Sequence, residues 1–244
     1  MSNEPLGWSE LFDDRILGSD SLHVFFATAQ ALAADASLIV EVGCGRGAMV
    51  DETSVRHWQD FRGTGRRVIG IDVDPVGVEN PVVDEFRMIG EDGAWPLDDA
   101  SVDLAVSDFV LEHVTDPVAF VSELTRVLRP GGAFVARTVS RRSLLSMAAR
   151  VVPNRKHSQV LTTFQPGRAA QDVFHTAYKM NTRKDLAALF DADYEWGAAF
   201  RTGLNRYLLP WPKLGAVAVA VERRLPQSMH AGLIVSARKK STTS

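Results

Sequence analysis

Three glycines within residues 38–47 have a spacing that could bind a ligand through the main chain. The mostly apolar residues 38–42 predict a buried parallel strand, and Gly43, Gly45 and Gly47 predict a turn that opens a helix. Gly43 can adopt backbone angles that a Cβ atom would forbid, and Gly45 lets a ligand lie directly against the main chain. A helix beginning near Gly47 would aim its free N–H groups at the same place. The stretch therefore predicts the first β-turn-α unit of a doubly wound sheet, in which ligands bind beyond the carboxyl ends of the strands.

Acidic residues at the predicted strand ends indicate what kind of ligand this turn would hold. The spacing Gly43-x-Gly45-x-x-Ala48 satisfies the dinucleotide fingerprint, and Asp72 is suitably placed for a ribose hydroxyl. Glu41, however, would put a carboxylate where the oxygens of a pyrophosphate need to approach. An acidic edge suits an ammonium and a sulfonium better than two phosphates. The residues expected there are Glu41, Asp72, Asp92 and Asp108.

Four stretches, in this order, resemble the motifs of the class I S-adenosylmethionine-dependent methyltransferases, of the type 11 kind. They occupy residues 39–47, 68–72, 95–114 and 127–132, so the resemblance covers about residues 38–140. Four ordered motifs are far more specific than one glycine turn. The resemblance implies an α/β fold, a doubly wound, Rossmann-like sheet of seven mostly parallel strands with the last strand antiparallel and helices on both faces. It also implies S-adenosyl-L-methionine as the cofactor.

The resemblance further implies which residues hold the cofactor. A carboxylate such as Asp72 can accept from two vicinal ribose hydroxyls at once, although an aspartate at this position could also cap a turn. Glu91 falls where the family usually has an aspartate at the adenine, and Asp92 follows it, so either carboxylate could face the adenine amine. The expected cofactor residues are Glu41, Gly43, Cys44, Gly45, Gly47, Asp72, Val73, Glu91, Asp92 and Ser107.

The chemistry implied by the family is in-line transfer of a methyl group to an oxygen, nitrogen or carbon nucleophile. Alignment and desolvation should supply most of the acceleration. A base is needed only if the acceptor must lose a proton, and Asp108 and His113 are then the nearest candidates. A lone histidine at such a position also has a structural interpretation. No metal-ligand cluster is visible in the sequence, so no metal is expected.

Composition limits the class of protein. The 244 residues are 45% hydrophobic and 23% charged, which is ordinary for a globular domain. The one cysteine excludes an internal disulfide framework. No secretion signal and no apolar run long enough to span a bilayer is recognisable, so a cytoplasmic protein is expected.

Charge is divided unevenly along the chain. Residues 1–140 hold 10 basic and 24 acidic residues, a net charge of −14, whereas residues 141–184 hold 9 and 1, a net charge of +8. In the family, the segment between the fifth and sixth strands commonly covers the acceptor pocket, which here makes Arg155, Lys156, Arg168 and His175 the candidate acceptor-binding residues. Three interpretations remain open: an anionic acceptor, ion pairing with the acidic scaffold or solvent, and contact with an anionic membrane face. Nucleic acid is not expected, because no series of aromatic residues for base stacking accompanies the charges.

Patterns of apolar residues predict the remaining elements within one domain. Its parts are a helical lead-in (1–37), the cofactor-binding core (38–140), a substrate-binding insertion (141–181) and the C-terminal part of the sheet (182–244). Strands are predicted at 38–42, 68–72, 86–89, 102–107, 133–139, 194–200 and 230–239. Helices are predicted at 21–34, 48–61, 143–152, 182–190 and 213–224, with another beginning at Pro117. Prolines and glycines at 75–81 predict a loop or short turn, and the apolar run 214–221 is interpreted as a buried core helix, with membrane contact as the alternative.

Two other functions remain compatible with these patterns. One is an NAD(P)-dependent oxidoreductase on the same sheet topology, which Glu41 and the later motifs disfavour. The other is a catalytically silent domain that binds S-adenosylmethionine to assist a partner protein. The acceptor, whether a small molecule, a glycan or a lipid-linked compound, does not follow from the fold.

Overall fold

The computed structural model describes residues 21–47, 56–144, 146–147, 176–204 and 211–241. Within these ranges one sheet of seven strands runs in the order β3-β2-β1-β4-β5-β7-β6. Strands β1 to β5 pair in parallel, and β7 is antiparallel to both β5 and β6. The strands are β1 (Leu38–Val42), β2 (Arg67–Asp72), β3 (Glu85–Met88), β4 (Val102–Asp108), β5 (Leu128–Val139), β6 (Tyr194–Arg201) and β7 (Gly232–Lys239). This arrangement confirms the predicted fold class.

Helices cover both faces of the sheet. On one face, α1 packs Leu22, Phe25 and Phe26 against core residues of the strands. On the other, α3 and α4 bury Leu124, Leu186 and other apolar side chains against a second core cluster. The helices are α1 (Ser21–Ala33), α2 (Arg56–Gln59), α3 (Pro117–Val127), α4 (Arg183–Phe190) and α5 (Pro212–Glu222). Short 3₁₀ turns occupy Pro75–Glu79 and Gln227–Met229.

Local capping chemistry accounts for several helix starts. The Thr182 hydroxyl accepts from the Asp185 N–H and begins α4, as predicted. The Asp116 carboxylate accepts from two N–H groups at the start of α3, where Pro117 is the first helical residue. The predicted loop at residues 75–81 is the short 3₁₀ turn after β2. Residues 48–55 of the helix predicted after the glycine turn, and most of the helix predicted at 143–152, lie outside the described residues.

Several predicted strand boundaries are wrong by one or two residues, and the start of β5 is wrong by five. β5 begins at Leu128 and not at Ala133, because Leu128 already pairs with Val102 before the run through Gly131 and Gly132 interrupts the register. Leu104 then pairs with Ala133 on the far side of this irregularity. β4 also includes Asp108, which pairs with Arg137 of β5. The proline and glycines that suggested a break before the strand therefore form an irregularity within it.

The prediction of a buried core helix at residues 214–221 is also wrong. In α5 the side chains of Leu214, Val217 and Val221 are 53%, 59% and 46% exposed. The helix is held at its C-terminal end by Glu222, whose buried carboxylate accepts from the N–H groups of Gly203, Leu204 and Ala231. Apolar content therefore did not mean burial here. Within the described ranges, no helix is long and apolar enough to cross a membrane.

The order of the strands indicates where a ligand-binding site is expected. The chain moves from β1 outward to β2 and β3, then returns to β4 on the other side of β1. Ligands bind in the crevice at such a reversal, outside the carboxyl ends of the strands. The described strands all belong to this one sheet, while the proposed division of residues 1–244 into four parts stays a prediction.

Candidate functional site

The glycine turn after β1 leaves main chain open at the predicted place. Gly43, Gly45 and Gly47 all have positive φ angles, of 70°, 45° and 67°. A Cβ atom on Gly43 would lie 2.3 Å from Val110 Cγ2, so the turn packs tightly against the loop that follows β4. A Cβ atom on Gly45 would meet no atom of the described residues within 4 Å. Gly45 is therefore the point at which a ligand can approach the backbone.

Asp72, at the end of β2, fixes this turn. One of its carboxylate oxygens accepts from the Gly45 N–H at 2.9 Å, and the other accepts from the Asp74 N–H at 2.9 Å. Each carboxylate oxygen has a second lone pair, so these bonds leave acceptor capacity for a ribose hydroxyl. Asp72 thus has the turn-capping role that sequence analysis weighed as the alternative. Its contact with a ribose stays a prediction.

Asn80 is a site residue that sequence analysis missed. Its buried side-chain amide donates to the Cys44 carbonyl at 2.9 Å and to the Glu41 carboxylate at 3.4 Å, while its oxygen accepts from the Val82 N–H. The same oxygen would lie 2.8 Å from a Cβ atom on Gly47. Asn80 therefore orients the Glu41 carboxylate and stabilises the glycine turn through its hydrogen bond to the Cys44 carbonyl. In the sequence it stood out only as a loop former between prolines.

Glu41 lies half-buried at the end of β1. Its pKa is raised to about 8, first by burial and then by the negative charges of Asp108 and Asp72, while the hydrogen bond from Asn80 opposes the shift. A cation bound nearby would relieve this cost by favouring the ionised carboxylate. The described residues contain no group of His, Cys, Asp and Glu side chains arranged to bind a metal ion. The open main chain at Gly45 and the acidic surroundings of Glu41 fit an organic cation that carries a ribose, which is the case for S-adenosylmethionine.

Asp108, a predicted catalytic base, is held by an arginine. Both of its carboxylate oxygens accept from Arg137, at 2.7 Å each, in a two-pronged ion pair between adjacent positions of β4 and β5. Arg137 is fully buried, and its guanidinium carbon lies 4.6, 5.4 and 5.8 Å from the ring centres of Phe109, Phe25 and Phe26. Accepting a proton would force Asp108 to give up part of this pair. Arg137 was not predicted as a site residue, although a lone arginine among apolar residues of a strand was the available signal.

His113 lies half-buried in the turn after β4, where its backbone N–H donates to the Val110 carbonyl at 2.8 Å. The neighbouring Glu112 is buried, and its carboxylate accepts from the Thr138 hydroxyl at 2.7 Å. The Asn181 amide in turn donates to that hydroxyl at 2.8 Å. The turn that carries His113 is therefore tied to β5 and to the end of the insertion.

The other predicted cofactor residues differ in their surroundings. Cys44 is buried under the turn, and burial raises the pKa of its thiol. Val73 is 63% exposed beside Asp72, and the Ser107 hydroxyl is buried and donates to the Val42 carbonyl at 3.1 Å. Glu91 and Asp92 are both exposed, and Asp92 accepts from the Ala94 N–H at 3.1 Å. These roles stay predictions, including the choice between Glu91 and Asp92.

The candidate acceptor-binding residues Arg155, Lys156, Arg168 and His175 lie outside the described residues. Both ends of the insertion are described and lie at the carboxyl edge. The Arg141 N–H at its start donates to the Asn181 carbonyl at its end, at 3.1 Å. The Ala177 and Tyr178 N–H groups donate to the Glu112 carbonyl at 2.7 and 3.1 Å. The insertion therefore starts and finishes beside the turn that carries His113.

Residues 40–136, which include the glycine turn, Asp72 and Asp108, match the family model described as Methyltransferase domain. Over this part of its length the chain is therefore similar to the class I S-adenosylmethionine-dependent methyltransferases. A probable S-adenosylmethionine-dependent methyltransferase of Mycolicibacterium smegmatis is 38% identical over 163 residues, which are 64% of this chain and 51% of that protein. One of Mycobacterium tuberculosis is 32% identical over 162 residues, 64% of this chain and 48% of that protein. The chain spans about half the length of the curated relatives it matches.

A solved methyltransferase structure supports this fold. The geranyl diphosphate C-methyltransferase of Streptomyces coelicolor, in complex with Mg²⁺, geranyl diphosphate and S-adenosyl-L-homocysteine, has a TM-score of 0.52 at 18% identity over 88% of this chain and 77% of that one. The prediction of S-adenosylmethionine as the cofactor is confirmed by the family and its relatives. They favour it over the nicotinamide cofactor of the oxidoreductase alternative.

Proposed function

We propose that this chain transfers a methyl group from S-adenosylmethionine to an anionic acceptor, either a small molecule or a glycan or lipid-linked compound. The observation that carries the methyl-transfer part is Glu41, a half-buried carboxylate close to Asp108 and Asp72 whose pKa is raised to about 8. A site that already crowds negative charge favours a cationic ligand over the two phosphates of a nicotinamide dinucleotide.

The residues around the glycine turn have distinct tasks in this proposal. Asp72 accepts from the ribose hydroxyls while it holds Gly45, and Glu41 attracts the positive charge of the cofactor, oriented by Asn80. When bound, S-adenosylmethionine supplies an electrophilic methyl group on a sulfonium. In this proposal the ligand lies against the open main chain at Gly45, while Val110 fills the space beside Gly43.

Proton transfer falls to His113 in this proposal, if the acceptor must lose a proton. Asp108 has both oxygens engaged by Arg137, so its contribution is a fixed negative charge beside the reacting centre. Removing one partner of a buried ion pair typically costs about 3–5 kcal/mol, so the pair holds the Asp108 carboxylate in place during turnover. Alignment of the acceptor then accounts for most of the acceleration.

The acceptor side of the proposal rests on charge. The insertion carries a net charge of +8 between residues 141 and 184, against −14 on residues 1–140. Its two ends, near Arg141 and Asn181, meet at the carboxyl edge of the sheet. Basic residues between these ends, with Arg155, Lys156, Arg168 and His175 as the candidates, would then surround the acceptor and bind its anionic group.

Calorimetry and turnover test the two parts separately. Binding of S-adenosylmethionine and S-adenosylhomocysteine, with NAD and NADP as comparison ligands, tests the cofactor; tighter binding of a nicotinamide cofactor would contradict the proposal. Methylation from labelled S-adenosylmethionine, measured on matched anionic and neutral acceptors, tests the acceptor. Binding without turnover on any acceptor would favour the catalytically silent alternative.

Variants then locate the acceptor site. Replacing Arg155 and Lys156, and separately Arg168, with glutamine should raise the acceptor KM and reduce its sensitivity to salt, with cofactor affinity unchanged. Lys184→Gln is the matched control, because Lys184 is an exposed basic residue on α4. An equal effect of this control, or no effect of the insertion variants, would assign the charge to a solvated surface.

A further inference from the structure

Apolar side chains form a stripe along the exposed side of α5. Leu214, Val217 and Val221 are each about half exposed, and Trp211, directly before the helix, is 43% exposed. At 100° per residue these three helical side chains fall within an arc of roughly 60°, so they share one face. Single exposed apolar residues are ordinary, but a contiguous stripe on one helix marks an interaction surface.

The exposed charged residues of α5 and of the turn directly after it are all basic. Lys213, Arg223 and Arg224 are exposed, and helical geometry places Lys213 along one border of the stripe. Arg224 follows the end of the helix, and its guanidinium donates to the Ala220 carbonyl at 3.2 Å, on the same side of α5 as Lys213. The one acidic residue of α5, Glu222, is fully buried, and its carboxylate is engaged by the N–H groups of Gly203, Leu204 and Ala231. The exposed side of α5 is therefore apolar and basic.

The topology puts α5 at the edge of the sheet that carries the site. β7 is antiparallel to β5 and β6, so the end of β6 and the start of β7 both lie at the carboxyl edge. The Ser140 N–H, at the end of β5, donates to the Ala231 carbonyl at 2.9 Å, and its hydroxyl donates to the Ser228 carbonyl at 2.8 Å. The anchored end of α5 is thus next to the point where the basic insertion leaves β5.

Charge decides between two occupants of this surface. Two copies of the chain that paired symmetrically through α5 would bring Lys213 and Arg224 of one copy close to the same residues of the other. An anionic lipid surface instead complements these residues and accepts Leu214, Val217 and Val221 at its acyl boundary. An apolar face bordered by basic residues is the composition of helices that lie in the membrane interface.

We propose that α5 docks the carboxyl edge of the sheet on an anionic lipid bilayer. The helix lies in the plane of the interface, Leu214, Val217 and Val221 enter the headgroup boundary, and Lys213 and Arg224 contact anionic headgroups. The proposal rests on the proposed function only for its consequence, which is that the methyl acceptor is borne on lipid and reaches the site from the bilayer surface.

Flotation of the full chain with vesicles tests the docking. Binding to phosphatidylcholine vesicles that contain phosphatidylglycerol should be at least roughly tenfold stronger than binding to vesicles of phosphatidylcholine alone. The Leu214→Ser/Val217→Ser variant and the Lys213→Gln/Arg224→Gln variant should each lose roughly tenfold in binding to the anionic vesicles. Val78→Ser/Val118→Ser is the matched control, because these valines are 73% and 71% exposed on other elements. Far-ultraviolet circular dichroism and S-adenosylmethionine affinity should be unchanged in all three variants.

Three outcomes would overturn the docking proposal. They are an absence of binding to anionic vesicles, an equal loss in the control variant, and a dimer in sedimentation velocity that the Leu214→Ser/Val217→Ser variant abolishes, which would assign the face to a second copy. The readout needs no turnover, so the two proposals fail separately. A chain that methylates a water-soluble anionic acceptor but ignores vesicles refutes the docking alone, whereas one that binds vesicles but not S-adenosylmethionine refutes the proposed function alone.

Discussion

The two halves of the carboxyl edge of the sheet differ in charge and in the kind of segment that forms them. At β1 and β2, Glu41, Asp72 and Asn80 converge on the glycine turn, and the local charge is negative. At β5 to β7, the edge carries the ends of a basic insertion and an apolar helix bordered by basic residues. The first half is specified by backbone geometry and by carboxylates that are buried or half-buried, and in the proposed function it binds the cofactor. The second consists of peripheral segments, which can differ between proteins that share the cofactor.

The Asp108–Arg137 pair joins the two halves, and its loss should have the largest effect. Arg137→Met should lower the free energy of unfolding by about 3–5 kcal/mol, because Asp108 would keep its charge without its buried partner. The Arg137→Met/Asp108→Asn variant should recover most of this loss. Urea denaturation followed by circular dichroism measures both. A double variant no more stable than the single one would show that Arg137 acts through its packing on Phe109 and not through the ion pair.

Gly45→Val tests whether the main chain at Gly45 contacts the cofactor, and its control measures the backbone strain that a side chain causes by itself. The valine side chain would occupy the open space beside the turn, so affinity for S-adenosylmethionine should fall by roughly a hundredfold or more. Gly65→Val is the matched control, since Gly65 also has a positive φ angle, 77°, and a Cβ atom there meets no described atom within 4 Å. Both variants should lose about 1–2 kcal/mol of stability from the left-handed conformation. An equal loss of affinity in the Gly65 variant would remove Gly45 from the binding site.

Asp72→Ala should weaken cofactor binding by roughly tenfold to a hundredfold, the loss expected for hydrogen bonds to a charged acceptor. The change also removes the bond to the Gly45 N–H, so a moderate loss of stability should accompany it. Asp74→Ala is the control, because Asp74 caps the neighbouring 3₁₀ turn through the Val76 N–H. Calorimetry that finds unchanged affinity for the Asp72 variant would reduce this carboxylate to a turn cap.

The pH dependence of cofactor binding tests the role of Glu41 at the end of β1, and its expected effect is the smallest. Because Glu41 has a raised pKa of about 8, a cationic ligand should bind with release of a proton, and affinity should rise roughly tenfold between about pH 6.5 and 8.5. The unliganded protein should show the opposite trend. Its folded state binds more protons than the unfolded state in the range between the ordinary glutamate pKa and 8, so stability falls as pH rises. Calorimetry in buffers of different ionisation enthalpy measures the proton. Glu41→Gln should abolish both trends, and an unchanged profile in that variant would exclude Glu41 as their source.

Local patterns were enough to predict much of the cofactor half. The strand before the glycine turn, Asp72 at the end of the next strand and the Thr182 cap each depend on a few consecutive residues. Asn80 could not be found in this way, because its partners Glu41 and Cys44 are distant in sequence. Arg137 required knowledge of which residue lies opposite Asp108, which depends on strand order and register.

The error on α5 has a different cause. Every residue from Leu214 to Val221 is apolar or glycine, so the run has no polar face to indicate which side the protein covers. Hydrophobicity predicted burial, whereas the structure exposes this side and buries the acidic Glu222 instead. A charged residue at the end of an apolar run was the available signal, and only its three backbone donors explain it.

The hydrogen bond between the Arg141 N–H and the Asn181 carbonyl joins the two ends of the insertion. The two described ends are held together at the carboxyl edge of the sheet, so segments of different length could join the same two residues. Doubling the length of a flexible loop costs only about 0.6 kcal/mol in closure entropy. In evolutionary terms the loop is an exchangeable cassette. A lineage could adopt a new methyl acceptor by replacing this one segment, while the strands, the glycine turn and the cofactor carboxylates stayed under unchanged selection.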